Sequence, residues 1–219
     1  MGPQSFILYP MPDASIERLH ITALGRRLEY FTIAWNAMEG IAALAAGVIA
    51  GSISLTAFGV DSFIEVMSGA VLLWLILMSV DANQQRRERN ERIALRLVGA
   101  CFLALATYTA IESIRDLLTH SAPGHSVLGI VIACLSLIAM PILSKAKKRV
   151  GKELNSAAMH ADAKQADFCA YLSGILLTGL ILNTLLGWWW ADPLAALIMV
   201  PIISREGYRS LRAEPCGCD

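Results

Sequence analysis

The chain has 219 residues, 56% of them hydrophobic and 16% charged, with a mean hydropathy of +0.55. A soluble domain of this size rarely carries so little charge, so the composition is that of a membrane protein. Its 18 basic and 18 acidic side chains cancel, and without a basic excess nothing points to a nucleic-acid partner.

Residues 1–27 contain Ile16 to His20 and the Arg26-Arg27 pair. They lack the basic start, apolar stretch and small-residue cleavage site of a signal peptide. They read as a cytoplasmic tail or a short helix on the membrane surface. A membrane-crossing helix needs about 20 mostly apolar residues. Six stretches qualify, at roughly 30–50, 53–79, 94–114, 126–143, 163–186 and 193–204, the last running on toward Leu211. The expected fold is therefore all-α, with six transmembrane helices over 28–212 and a short C-terminal tail over 213–219. No gap between spans is long enough for a soluble domain.

Charge sets the orientation. Arg18, Arg26 and Arg27 precede span one, and Arg86, Arg87, Arg89, Arg92 and Arg96 lie in or beside the joint between spans two and three. Lys145, Lys147, Lys148, Arg149 and Lys152 follow span four, and Arg205, Arg209 and Arg212 follow or end span six. Only Arg115 falls on the opposite side, and Lys164 lies near the start of span five. By the positive-inside rule both termini are cytoplasmic. The outer joints are Gly51-Ser52, Thr119 to Ser126 and Gly187 to Asp192. Trp188, Trp189 and Trp190 stand at interfacial height. Asp192 followed by Pro193 is expected to cap span six.

Charges inside spans are costly and mark functional candidates. In span one, Asn36 and Glu39 lie one turn apart and could line a cavity or carry protons. In span two, Asp61 and Glu65 are spaced i, i+4 and share one helix face. Two such acids must share a proton or a cation. In span five, Asp162, Gln165 and Cys169 are spaced i, i+3, i+7 and also share a face, with ligand types suited to a metal. His160, Lys164 and Asp167 point elsewhere, toward the cytoplasmic interface, where His160 could relay protons. Glu112, Arg115 and Asp116 read as an interfacial ion-pair cluster. Cys101 and Cys134 read as small buried hydrophobes. Cys216 and Cys218 form a CxC tail that could hold a soft metal in a reducing compartment. No nucleophile–base constellation, phosphate loop or haem motif is present, so neither enzymatic activity nor a bound cofactor is expected.

From about Tyr30 to Leu211 these residues resemble the membrane domain of the cation diffusion facilitator family. The resemblance rests on six spans, Asp61-Ser62-Phe63-Ile64-Glu65, the Tyr108 to Arg115 segment closing span three, the Gly151 to Ser156 segment before span five, and Ala191-Asp192-Pro193. It implies a tetrahedral transport site between spans two and five. Asp61 and Glu65 match its acid pair. Matched through Ala161-Asp162, Gln165 and Cys169 stand where the family usually has His and Asp, with Asp162 one turn away. That ligand set suits Zn2+, Cd2+, Co2+ or Mn2+. The resemblance further implies export of a divalent metal ion from the cytoplasm through the cell membrane, with protons returning. Members usually carry a soluble cytoplasmic domain after span six. Here a minimal branch is expected, pairing, if at all, as a homodimer through its spans. Two rivals remain open at this point: a non-transporting membrane metal sensor or assembly partner, and an exporter of a small organic cation, which would need an aromatic-lined cavity.

Overall fold

The computed structural model describes residues 14–78, 84–121, 123–154 and 156–212. Six helices account for most of them: α1 (Ala14–Ala50), α2 (Ile53–Met78), α3 (Gln84–Thr119), α4 (Val127–Leu154), α5 (Ala157–Leu186) and α6 (Ala191–Arg212). No strand occurs among the described residues. The Cys216/Cys218 tail and residues 1–13 lie outside them.

Among the described residues, four stretches are long and apolar enough to cross a membrane: His20–Ala50, Leu95–Thr119, Val127–Leu154 and Asp162–Leu186. Between them pack α2, whose only charges over 26 residues are Asp61 and Glu65, and α6. α2 touches α1, α3, α5 and α6 and is the axis of the bundle. The exposure pattern is that of a protein solvated by lipid. Ile49, Leu118, Val127 and Leu185 point outward, 70–87% exposed, whereas Glu29, Asn36, Asp61, Ser136 and Lys147 are turned inward and buried.

Short turns make successive helices antiparallel. The three turns expected on the outer side meet at one end: the Gly124 amide donates to Ala50 O at 2.6 Å, and the Asn183 amide donates to Pro123 O at 3.2 Å. Gly51 and Gly187 end α1 and α5 in the left-handed conformation, with φ of 63° and 66°, which only glycine adopts without strain. Helix pairs approach closely where a side chain is missing. A Cβ on Gly59 would lie 2.7 Å from Leu44 N, and one on Gly99 would lie 2.7 Å from Gly207 O. Small residues thus seat α1 on α2 and α3 on α6, as is common in lipid, where packing rather than hydrophobicity joins helices.

Three expectations change. α1 begins at Ala14, so the described part of the N-terminal tail is helical and continuous with span one. α4 continues through the basic run to Leu154 instead of ending near residue 143. Its buried stripe of Met140, Leu143, Ser144, Lys147, Val150 and Gly151 keeps helical spacing, so the run stays packed while Lys145, Lys148 and Arg149 point out. Asp192 does not cap its own helix. It lies in the first turn of α6 and accepts from the Ser52 hydroxyl at 2.7 Å, the Ile53 amide at 3.0 Å and the Ser54 hydroxyl, so it caps the N-terminus of α2.

Candidate metal site

α2 carries Asp61 and Glu65 on one face, one turn apart, and α5 brings Cys169 against them. One ligand atom from each of the three lies within 4.8 Å of the others, and all three residues are buried. Neither carboxylate oxygen of Asp61 has a hydrogen-bond partner, nor does Glu65 Oε1. Buried acceptors left this way are expensive unless a proton or a cation joins them. Glu65 is fixed through its other oxygen, which accepts from Asn36 Nδ2 at 2.6 Å. Ser136 of α4 stands beside the thiol, its Oγ 3.9 Å from Cys169 Sγ, and the Ser173 hydroxyl donates to Cys169 O at 2.7 Å.

The other expected residues are distributed around this triad. Gln165 precedes Cys169 by one turn of α5, half-buried, with its Nε2 buried and unpartnered. Glu39 is buried on α1 and accepts from the Ser62 hydroxyl at 3.3 Å, leaving its Oε1 without a partner. His160 packs its ring against Gly151 of α4, 3.3 Å from where a Cβ would stand. Asp162, expected beside the metal, is instead paired with the Lys147 ammonium. The same Nζ lies 3.3 Å from Glu29 Oε1 and donates to Glu29 Oε2 at 3.4 Å. Asp162 shares a face with Cys169 but sits two turns away along α5, on a lower level of the bundle.

Ser136, Glu29 and Lys147 were missed from the sequence. Lys147 was legible in principle, because it falls on the buried stripe of α4 once the helix is continued to Gly151. Ser136 and Glu29 give no such signal, since nothing local tells which helix each will face. An apolar groove of about 430 Å3 between α4, α5 and α6 includes Tyr171 and Trp190 but no acidic residue. It lies apart from Asp61 and Glu65, which are not among its lining residues.

A helical bundle with polar residues inside, apolar residues outside and a buried acid–thiol cluster defines the class: a membrane-embedded cation-handling protein. Residues 31–214 match the cation efflux transmembrane domain, and the chain belongs to that family. It is 25% identical over 178 residues to the cation-efflux pump FieF of Shewanella oneidensis, covering 78% of this chain and 60% of the relative. It is 27% identical over 158 residues to an uncharacterized transporter of Synechocystis, covering 70% and 51%. Over 156 residues it is 26% identical to transmembrane protein 163 of Xenopus laevis, covering 71% and 53%. The chain thus spans between half and three-fifths of the length of these relatives.

Proposed function

We propose that this protein moves a divalent transition-metal ion, Zn2+ or one like it, out of the cytoplasm, binding it between Asp61, Glu65 and Cys169. The observation that carries this is the cluster of three buried ligand atoms within 4.8 Å, two of its carboxylate oxygens on Asp61 having no other partner. In a tetrahedral site, ligands at about 2.0–2.3 Å from the metal stand roughly 3.5 Å apart. Closing the triad onto an ion therefore needs a contraction of at most roughly 1.3 Å. Gln165, one turn from Cys169, or a water supplies the fourth ligand. Two carboxylates and a thiolate carry more negative charge than the ion neutralises, and all three must lose their protons to hold it. Metal uptake then releases protons and proton uptake releases metal, which is the elementary step of an antiport.

The distribution of basic residues supports cytoplasmic termini, and on this reading the ion approaches from the end carrying Lys145, Lys148, Arg149 and Arg209. It leaves past the end where Asp192 caps α2, once the helices rock to open that side. Pairing of two chains through their spans fits this reading. Its test is metal flux in proteoliposomes. Asp61→Asn keeps the shape of the side chain and should abolish flux with helical content unchanged; flux equal to wild type would overturn the assignment. Wild-type protein that binds the ion without moving it would be a sensor instead.

A further inference from the structure

The Lys147 group is more than a structural tie. Glu29 stands two turns before Asn36 on α1, and Asp162 two turns before Cys169 on α5, so both are about 10.5 Å along their helices from the level of the triad. On α2, Gly69 follows Glu65 by one turn, and a Cβ there would meet Glu29 Oε2 at 3.5 Å. The Glu29 carboxylate therefore lies directly beneath the triad, on the side of the basic end. Lys147 enters this level from α4, which runs the other way, and a helical side chain leans toward the N-terminus of its own helix, here toward the triad. One ammonium thus stands between two carboxylates from two other helices. Glu29 and Lys147 are 0–1% exposed and Asp162 8%.

Two buried carboxylates face one ammonium, so with both ionised they carry one negative charge more than it neutralises. If ionised, they form a position for a cation larger in charge than the one in it. We infer that Glu29 and Asp162 form a second divalent-cation position on the ion's route, occupied in this conformation by the tethered ammonium of Lys147, which closes the basic end of the path. This rests on the transport reading. When Lys147 withdraws toward solvent along its flexible stem, an incoming ion takes its place between the two carboxylates and passes one level up to Asp61, Glu65 and Cys169. When the ion has left, the ammonium returns and neutralises one of the two carboxylates again without a metal.

The test uses Cd2+ on purified protein in which Cys101, Cys134, Cys216 and Cys218 are serine. Thiolate-to-cadmium absorption then reports the Cys169 site alone, while equilibrium dialysis counts all bound Cd2+. Wild type should hold one Cd2+ per chain. Lys147→Gln should hold two with the absorption unchanged, and adding Glu29→Gln should return it to one. A folded Lys147→Gln protein that binds no extra Cd2+, or an extra ion that survives Glu29→Gln with Asp162→Asn, overturns the inference. Should Lys147→Gln fail to fold, Glu29→Gln decides. It leaves a balanced Lys147–Asp162 pair, and it should slow Cd2+ flux from the basic end by at least about tenfold while the absorption stays; wild-type flux would sink the idea. Loss of the cadmium absorption in wild type would instead refute the site at Cys169, a separate failure.

Discussion

The Asn36 carboxamide of α1 donates to Glu65 Oε2 of α2 at 2.6 Å, with both side chains buried. This single contact holds one oxygen of Glu65, while Oε1 has no hydrogen-bond partner. An amide that only donates here orients the carboxylate without adding charge to a cavity already rich in it.

Removing that contact should loosen the site without unmaking it. Asn36→Ala is expected to weaken Zn2+ binding by about 10–100-fold, the usual cost of losing a group that orients a ligand. Calorimetric titration beside a circular-dichroism spectrum checks it. An affinity equal to wild type would show that Glu65 needs no such support.

Cys169 is the soft member of the triad. Cys169→Ser keeps the size of the side chain and swaps sulfur for oxygen, so preference should move from Cd2+ toward Mn2+. Competition between the two ions, read as the ratio of their dissociation constants, should fall by at least about tenfold. An unchanged ratio would remove the thiol from the site.

Binding should strengthen as pH rises. Asp61, Glu65 and Cys169 hold a metal only when deprotonated, so protons compete at low pH and are expelled on binding. Titrations in two buffers of different ionisation enthalpy give the number released, which is expected to exceed zero near neutrality and to fall as pH rises. A heat independent of buffer would contradict ligation by these three groups.

Asp192 ties the outer ends of α2 and α6 through the Ser52 and Ser54 hydroxyls and the Ile53 amide. Asp192→Ala strips the cap from the helix that carries both acids and strands buried donors, at a cost of about 1–3 kcal/mol. Thermal unfolding in detergent should show the loss as a lower midpoint, with one Zn2+ still bound per chain. A midpoint equal to wild type would mean that water replaces the carboxylate.

The six helices and the acid pair of α2 could be read from the chain because lipid imposes a one-dimensional rule. Any segment that crosses must be apolar for about 20 residues, and any acid inside it needs a reason. The i, i+4 spacing of Asp61 and Glu65 also fixes a shared face, whatever surrounds it. Helix ends were harder. The basic run after Leu143 looks like an exit from the membrane, yet the helix continues because its buried stripe stays packed, with Val150 against Met159 and Lys147 paired with Glu29 and Asp162 on α1 and α5.

Partnership across helices is where local pattern stops. Asp162 and Cys169 share a stripe on α5, yet one meets an ammonium from α4 and the other two acids from α2, because neighbouring helices present different groups at each level. Asp192 looks like the cap of its own helix and serves another, since the adjacent N-terminus of α2 offers it two hydroxyls and a backbone amide. Hydropathy and spacing describe one helix at a time. The identity of each buried charge's partner belongs to the way six helices are set side by side, and it is that arrangement which separates the Asp61–Glu65–Cys169 cluster from the Lys147 group two turns below it.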